Sequence, residues 1–183
     1  MIQHIPNLIS VLRLLLVPWF AMLLLERQFD LALVLFVLMG ISDALDGFLA
    51  RYLKASSALG AGLDPLADKV MLVAAFVMLG HLELLPLWLV TLVVGRDVLV
   101  VGGTLLNYLL HPGQKTTVLK VGKINTFVQI VTVFLFMGNQ LVMLPPLMLD
   151  VLLWGTVAAT LVSGVGYILV WGGLLADPGS ASQ

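Results

Sequence analysis

Six apolar stretches, each close to the length of a membrane-spanning helix, make up almost all of this chain of 183 residues. A helix needs about 20 mostly apolar residues to cross the hydrocarbon of a bilayer. Hydrophobic residues form 61% of the chain and charged residues only 10%, against about 25% charged in a soluble domain. The sequence therefore predicts an all-α integral membrane protein with six transmembrane helices, at residues 8–25, 31–49, 60–85, 87–110, 121–144 and 147–175.

The connections between these stretches are short, so we expect one membrane domain over residues 1–176. Residues 177–183 are polar or small and predict a disordered tail. The first apolar stretch lacks a basic leader and a small-residue cleavage site, so we expect a helix rather than a cleaved signal peptide. The absence of cysteine excludes disulfides and thiolate chemistry.

The distribution of basic residues predicts the orientation in the membrane. If the N-terminus is cytoplasmic, the opposite side carries only Arg27, next to the acidic Glu26. Because cytoplasmic loops carry the excess of lysine and arginine, both termini are predicted to be cytoplasmic. We expect the protein in the bacterial plasma membrane, with any site at the cytoplasmic face. The basic residues assigned to that side are Arg13, Arg51, Lys54, Lys69, Lys115, Lys120 and Lys123.

Four aspartates lie close together where the chain is otherwise apolar. Asp43 and Asp46 are three residues apart near the end of the second predicted helix, and Asp64 and Asp68 are four apart at the start of the third. Residues three or four apart share a face of a helix. The short loop between the helices allows the two faces to meet. Carboxylates are costly in a membrane and by default indicate a functional site.

Four converging carboxylates would repel one another unless a cation lies between them. Oxygen ligands without histidine or cysteine favour Mg²⁺ or Mn²⁺ over zinc. Such ions often complete their shell with substrate phosphates, and two-metal sites clamp a phosphoryl group. We therefore expect a metal–phosphate site that holds one or two ions, and we favour two.

Glycines and cations accompany the aspartates. Gly47 follows Asp46, and Gly60 opens the third predicted helix. A glycine lets a ligand or a second helix approach closely. Arg51 and Lys54 supply positive charge suited to phosphate. The alternative is that the glycines serve helix packing and the cations only set topology.

The pattern Asp-x2-Asp-Gly-x2-Ala-Arg-x8-Gly-x3-Asp-x3-Asp, from Asp43 to Asp68, resembles the signature of the CDP-alcohol phosphatidyltransferase family at every fixed position. The resemblance extends to residues 7–13 and 64–69. It implies that a CDP-linked lipid binds through its pyrophosphate, that an alcohol attacks the β-phosphorus on the lipid side, and that CMP leaves. It also implies a homodimer. We expect membrane lipids as partners and no nucleic acid.

The resemblance assigns roles by position. Asp68 would be both a metal ligand and the general base, because an alcohol must lose its proton to attack. The implied metal ligands are Asp43, Asp46, Asp64 and Asp68. The implied CDP-lipid pocket consists of Gly47, Ala50, Arg51 and Gly60.

The sequence is similar to two kinds of enzyme in this family, which use different acceptor alcohols. The run from Gly122 to Thr126 is similar to the enzymes that make phosphatidylglycerol phosphate, which suggests CDP-diacylglycerol as donor and glycerol 3-phosphate as acceptor. We favour this acceptor, with Lys123 and also Lys115 or Lys120 holding its phosphate. The run from Gly95 to Val98, with Asn125, is more similar to cardiolipin synthases, whose acceptor is phosphatidylglycerol.

Arg96 and Asp97 lie deep in the fourth predicted helix. Arg96 is a candidate for the acceptor's phosphate, or it neutralises a carboxylate. Adjacent residues on a helix do not face each other, so each is expected to need a separate partner or a water-filled cavity.

Two other classes of membrane protein use carboxylates. A prenyltransferase holds a diphosphate with aspartates and Mg²⁺, but it lacks this spacing of glycine, arginine and aspartate. A metal transporter would place its carboxylates at the midplane, with inverted repeats or broken helices. Here the aspartates cluster at one edge, so both classes are less favoured.

Overall fold

The computed structural model describes the backbone of residues 5–53, 60–110 and 119–176, and the side chains of residues 12–42, 69–106 and 119–170. Within these ranges the chain is all-helical. Six helices follow one another along it: α1 (Ile5–Leu25), α2 (Phe29–Leu53), α3 (Gly60–His81), α4 (Leu87–Leu110), α5 (Lys120–Gly138) and α6 (Pro146–Ala176). The predicted tail at 177–183 lies outside the described residues.

Two predicted helices end earlier than the apolar pattern suggested. Helix α3 ends at His81 rather than at residue 85, and α5 ends at Gly138 rather than at 144. After α5, the Asn139 side chain accepts a hydrogen bond from the backbone N–H of Leu144 at 2.9 Å. This bond closes a turn whose residues 141–144 are all apolar. Hydropathy alone therefore placed the end of α5 too late.

Helices α1 and α3 end in a common backbone motif, which differs from the turn after α5. Arg27 and Glu83 have φ of 57° and 60°, in the left-handed region. The N–H of Gln28 bonds the carbonyl of Leu23, five residues back, and the N–H of Leu84 bonds that of Leu79. This is the Schellman arrangement, whose left-handed position is usually occupied by glycine. Here two charged residues occupy it.

The helices have the surface of a membrane protein. Three of them are long and apolar enough to cross a bilayer within the described residues: Leu87–Leu106, Lys120–Gly138 and Pro146–Val170. Shorter apolar helical segments cover Leu12–Leu25, Phe29–Ser42 and Lys69–His81. Large apolar side chains such as Phe127 and Leu169 are more than 60% exposed. An exposed surface this apolar is suited to lipid rather than water.

The chain forms two compact units. Unit 1 comprises residues 1–86 and 133–144, and unit 2 comprises residues 87–132 and 145–183. In unit 1, α1 packs against both α2 and α3. In unit 2, α4 packs against α6, with the Trp88 and Trp154 ring centroids 5.9 Å apart.

The two units differ in the chemistry of their interiors. Among the described side chains of unit 1, the buried ones are apolar apart from Arg13. In unit 2 the buried set includes eight polar or charged side chains: Arg96, Asp97, Asn125, Gln129, Thr132, Thr156, Thr160 and Ser163. A polar interior beneath an apolar surface requires hydrogen bonding inside unit 2.

We predict that Glu83→Gly stabilises the protein. Glycine adopts the left-handed conformation without a Cβ penalty, so the variant should raise the free energy of unfolding by about 0.5–1 kcal/mol. Asp30→Gly is the matched control, because Asp30 lies in the first turn of α2 and glycine there should destabilise. Thermal unfolding in detergent micelles measures both. A loss of stability in Glu83→Gly would contradict the prediction.

Candidate active site

The backbone places the four aspartates on two helices. Asp43 and Asp46 lie one turn apart in the second half of α2, and Asp64 and Asp68 lie one turn apart near the start of α3. Their side chains are outside the described residues, as are those of Gly47, Ala50, Arg51 and Gly60, while Lys115 lies in a segment that is not described at all. The roles assigned to these residues therefore stay predictions.

The donor set on these two helices fits a hard divalent cation. It consists of carboxylates alone, on two pairs of neighbouring turns, and contains neither histidine nor cysteine. Oxygen ligands of this kind suit Mg²⁺ or Mn²⁺. No group of three potential metal ligands occurs among the side chains that the structure does describe. The assignment of a metal ion to these aspartates stays a prediction.

Arg96 and Asp97 form a buried ion pair in unit 2. Arg96 Nη1 donates to Asp97 Oδ1 at 2.6 Å, and Nη2 donates to the Ser163 hydroxyl of α6. The guanidinium also lies over the Tyr167 ring, 5.5 Å from its centroid. The expectation that the two neighbours do not meet was wrong, because the long arginine side chain bends around the helix and reaches its neighbour's carboxylate. Arg96 also has the separate partners that were expected, Ser163 and Tyr167.

Gly122 makes room for this cluster. A Cβ on Gly122 would lie 2.9 Å from the Tyr167 hydroxyl and 3.5 Å from Arg96 Nη2. A real Cβ does not approach an atom so closely, so a larger residue at this position would displace the tyrosine. Gly122 therefore lets α5 come close to α6 at the level of Arg96.

Below Arg96, polar side chains continue along the facing surfaces of α5 and α6. The Thr160 hydroxyl donates to Asn125 Oδ1 at 3.1 Å, and the hydroxyls of Thr132 and Thr156 are 2.6 Å apart. Gln129 lies between these two bonds and is fully buried. Its amide has no hydrogen-bond partner among the described residues. We call these five residues the polar row.

The predicted acceptor residues divide into two kinds. Lys120 and Lys123 are exposed at the start of α5, where they are free to meet a solvated anion. Arg96 is 7% exposed and its two terminal nitrogens are bonded to Asp97 and Ser163. Its Nε alone has no partner among the described residues. Arg96 thus joins α4 to α6.

The sequence reasoning missed the polar row and the burial of Arg13. A signal for the row existed, because the polar residues of each helix recur three or four positions apart, which is the period of one helix face. The residues of the polar row are Asn125, Gln129 and Thr132 on α5 and Thr156 and Thr160 on α6. On α6 the same spacing continues to Ser163 and Tyr167.

The sequence is similar to known proteins over most of its length. The family model described as CDP-alcohol phosphatidyltransferase matches residues 3–162. The chain is 38% identical over 146 residues to "Cardiolipin synthase (CMP-forming)" of Rattus norvegicus, covering 70% of this chain and 48% of that protein. The chain thus spans about half the length of that relative and of its human and Drosophila melanogaster counterparts.

Two bacterial relatives carry a different name. The chain is 33% identical over 184 residues to "CDP-diacylglycerol--glycerol-3-phosphate 3-phosphatidyltransferase" of Bacillus subtilis, covering 90% of this chain and 93% of that protein. It is 41% identical over 148 residues to the protein of the same name in Cereibacter sphaeroides, covering 75% and 65%.

We predict that Gln129→Met leaves the melting temperature unchanged or raises it. Methionine has a similar shape, so the substitution removes an amide that has no hydrogen-bond partner in the described part of the chain and creates no cavity. Such a change is neutral or stabilising. Asn125→Leu is the contrasting variant, because it removes the acceptor of the Thr160 bond and should cost about 1–3 kcal/mol. Thermal unfolding compares the two. If Gln129→Met destabilises as much as Asn125→Leu, the amide of Gln129 has a partner that it needs.

Proposed function

The chain belongs to the CDP-alcohol phosphatidyltransferase family, and we propose that it transfers the phosphatidyl group of CDP-diacylglycerol to glycerol 3-phosphate. The products are phosphatidylglycerol phosphate and CMP. The observation that carries this proposal is the match to the Bacillus subtilis relative, which extends over nearly the full length of both proteins. The relative of the same name in Cereibacter sphaeroides supports it.

In the proposed reaction, the oxygen of the acceptor hydroxyl attacks the β-phosphorus while Asp68 takes the proton of that hydroxyl. The bond from that phosphorus to the CMP oxygen then breaks, and CMP leaves. Asp43, Asp46, Asp64 and Asp68 hold one or two Mg²⁺ or Mn²⁺ ions, which when bound neutralise charge on the pyrophosphate. Gly47, Ala50, Arg51 and Gly60 line the pocket for the cytidine diphosphate, with Arg51 supplying positive charge.

The phosphate of the acceptor is assigned to lysines rather than to Arg96. Lys123 and Lys120 are exposed, and Lys115 lies in the preceding connection. Arg96 is already bonded to Asp97 and Ser163, so binding a substrate phosphate would compete with these contacts. We therefore assign Arg96 to holding α4 against α6.

Phosphatidylglycerol is the second candidate acceptor. The similarity to the cardiolipin synthase of Rattus norvegicus favours it, as do Gly95, Arg96 and Asp97 in α4 and Asn125 in α5. The product would then be cardiolipin. The chemistry at the phosphorus is the same in both cases, and only the acceptor's anchor differs.

We place the protein in the bacterial plasma membrane as one domain of six spans over residues 1–176, with both termini and the active site cytoplasmic. In the part of the chain that the structure describes, three helices qualify as spans by length and composition. The excess of lysine and arginine on one side supports the orientation. A homodimer follows from the family resemblance alone.

We predict that purified protein with CDP-diacylglycerol releases CMP when given glycerol 3-phosphate, with phosphatidylglycerol phosphate identified by mass. Lys123→Ala should raise the KM for glycerol 3-phosphate about 10- to 150-fold, the effect of losing a charged partner. Arg51→Ala should instead weaken the CDP-lipid, and Arg27→Ala, at the far end of unit 1, serves as control. Reaction with phosphatidylglycerol only, or an unchanged KM in Lys123→Ala, would favour the cardiolipin-forming alternative.

A separate prediction concerns metal and base. EDTA should abolish CMP release, and Mg²⁺ or Mn²⁺ should restore it. Asp68→Asn should lower kcat by about 10²–10⁴-fold or more with a smaller effect on nucleotide binding. Asp150→Asn is the matched control, because Asp150 is an exposed carboxylate of α6. Full turnover after chelation would exclude the metal, and metal flux into proteoliposomes without CMP release would indicate a transporter.

A further inference from the structure

Helix α1 is the element on which both aspartate-bearing helices pack. It contacts α2, which carries Asp43 and Asp46, and α3, which carries Asp64 and Asp68. Its inward face is the stripe Arg13, Val17, Phe20 and Leu24, with one residue on each successive turn, and all four side chains are buried. Among the described side chains of unit 1, Arg13 is the single buried one that is charged, and it is only 2% exposed.

A guanidinium buried within a membrane helix needs negative charge close by, because an isolated buried charge is very costly. The carboxylates with described side chains in unit 1 are Glu26, Asp30 and Glu83, which lie beside the turns after α1 and α3. Glu26 is 13 residues beyond Arg13, which is about 20 Å along a helix. These three carboxylates lie at the wrong end of α1 to neutralise Arg13.

The register of α1 and α2 brings Arg13 to the level of the aspartates. The two helices form an antiparallel hairpin, with the Phe20 and Phe36 ring centroids 5.9 Å apart. Arg13 lies seven residues before Phe20, and Asp43 lies seven residues after Phe36. Seven residues are close to two turns, so each keeps the face of its phenylalanine. Arg13 and Asp43 therefore occupy the same level on the facing sides of the hairpin.

Helix α3 brings its aspartates to the same end. Six residues, 54–59, join α2 to α3, and they span at most about 25 Å. Helix α2 has 25 residues and is about 37 Å long. The connection is therefore too short to return to the start of α2. Together with the packing of α3 on α1, this favours a start of α3 toward the end of α2 and a direction parallel to α1. Asp64 and Asp68, near its start, thus belong to the same end of unit 1 as Arg13.

We propose that Arg13 is the positioning residue of the aspartate cluster, its guanidinium offsetting part of the charge of four carboxylates and fixing Asp43 against α1. The proposal rests on the proposed function for the identity of the site. Before a metal binds, Arg13 lowers the repulsion among the carboxylates. After it binds, Arg13 keeps the ligands in place. The residue touches neither substrate nor reacting atoms, so its effect on turnover is indirect.

Loss of Arg13 is expected to raise the affinity of the aspartate cluster for a divalent cation. Removing a positive charge near a dication removes a repulsion between the two and so strengthens binding of the dication. Even at the dielectric constant of water, a unit and a double charge about 10 Å apart repel enough to change affinity about 4-fold. Arg13→Gln should therefore bind Mn²⁺ about 4-fold or more tightly while its kcat falls, because the ligands are less well placed.

Mn²⁺ binding to the full chain in detergent, followed by electron paramagnetic resonance without substrate, provides the test. Arg13→Lys keeps the charge and should bind Mn²⁺ like the wild type, within about twofold, since an ammonium repels the dication similarly. Arg27→Gln is the charge-matched control, because Arg27 is exposed at the opposite end of α1. Unchanged Mn²⁺ affinity in Arg13→Gln would overturn the proposal. A wild-type chain that binds no Mn²⁺ would count against the proposed function instead.

A double-mutant cycle on melting temperature in EDTA covers the case in which Arg13→Gln is too unstable for the titration. Asp43→Asn should partly restore the stability of Arg13→Gln, because the effects of two interacting residues are not additive. Additive losses of stability would show that Arg13 and Asp43 do not interact, and would overturn the proposal independently of any metal.

Discussion

A polar or charged side chain inside a helix bundle that faces hydrocarbon must find its partners within the bundle, because lipid offers none. Both units follow this constraint in different ways. In unit 2, Arg96 bonds Asp97 and Ser163, and the polar row continues the bonding down α5 and α6. In unit 1 the described interior is apolar, and its one buried charge stands on the helix that the aspartate-bearing helices share.

Hydropathy predicted six helices and placed the starts of α3 and α4 at Gly60 and Leu87, as the structure has them. It could not find the end of α3, because Leu84 and Leu85 continue the apolar pattern past a turn that depends on backbone conformation at Glu83. Spacing along one helix also failed to predict the ion pair between Arg96 and Asp97, because it treats side chains as fixed directions. A long arginine side chain has the freedom to bend back.

The aspartate pattern predicted the family, and the match to the family model confirmed that prediction. The acceptor is a different kind of question, since relatives with both names share this chain's sequence to a similar degree. Both alcohols meet the same phosphorus chemistry, so the pattern from Asp43 to Asp68 does not separate them. What separates them is how a free phosphate or a lipid-linked diester is held, which depends on exposed cations such as Lys123.

The pair Thr132 and Thr156 has a property that pairs of unlike groups lack. Each hydroxyl has one proton, and each lies 2.8 Å from a carbonyl of its own helix as well as 2.6 Å from the other hydroxyl. Two protons serve three contacts, so one hydroxyl points across while the other points to its own backbone. The reverse arrangement is chemically equivalent. Helices α5 and α6 thus stay joined while the direction of the bond inverts, and rotation of either hydroxyl does not separate them.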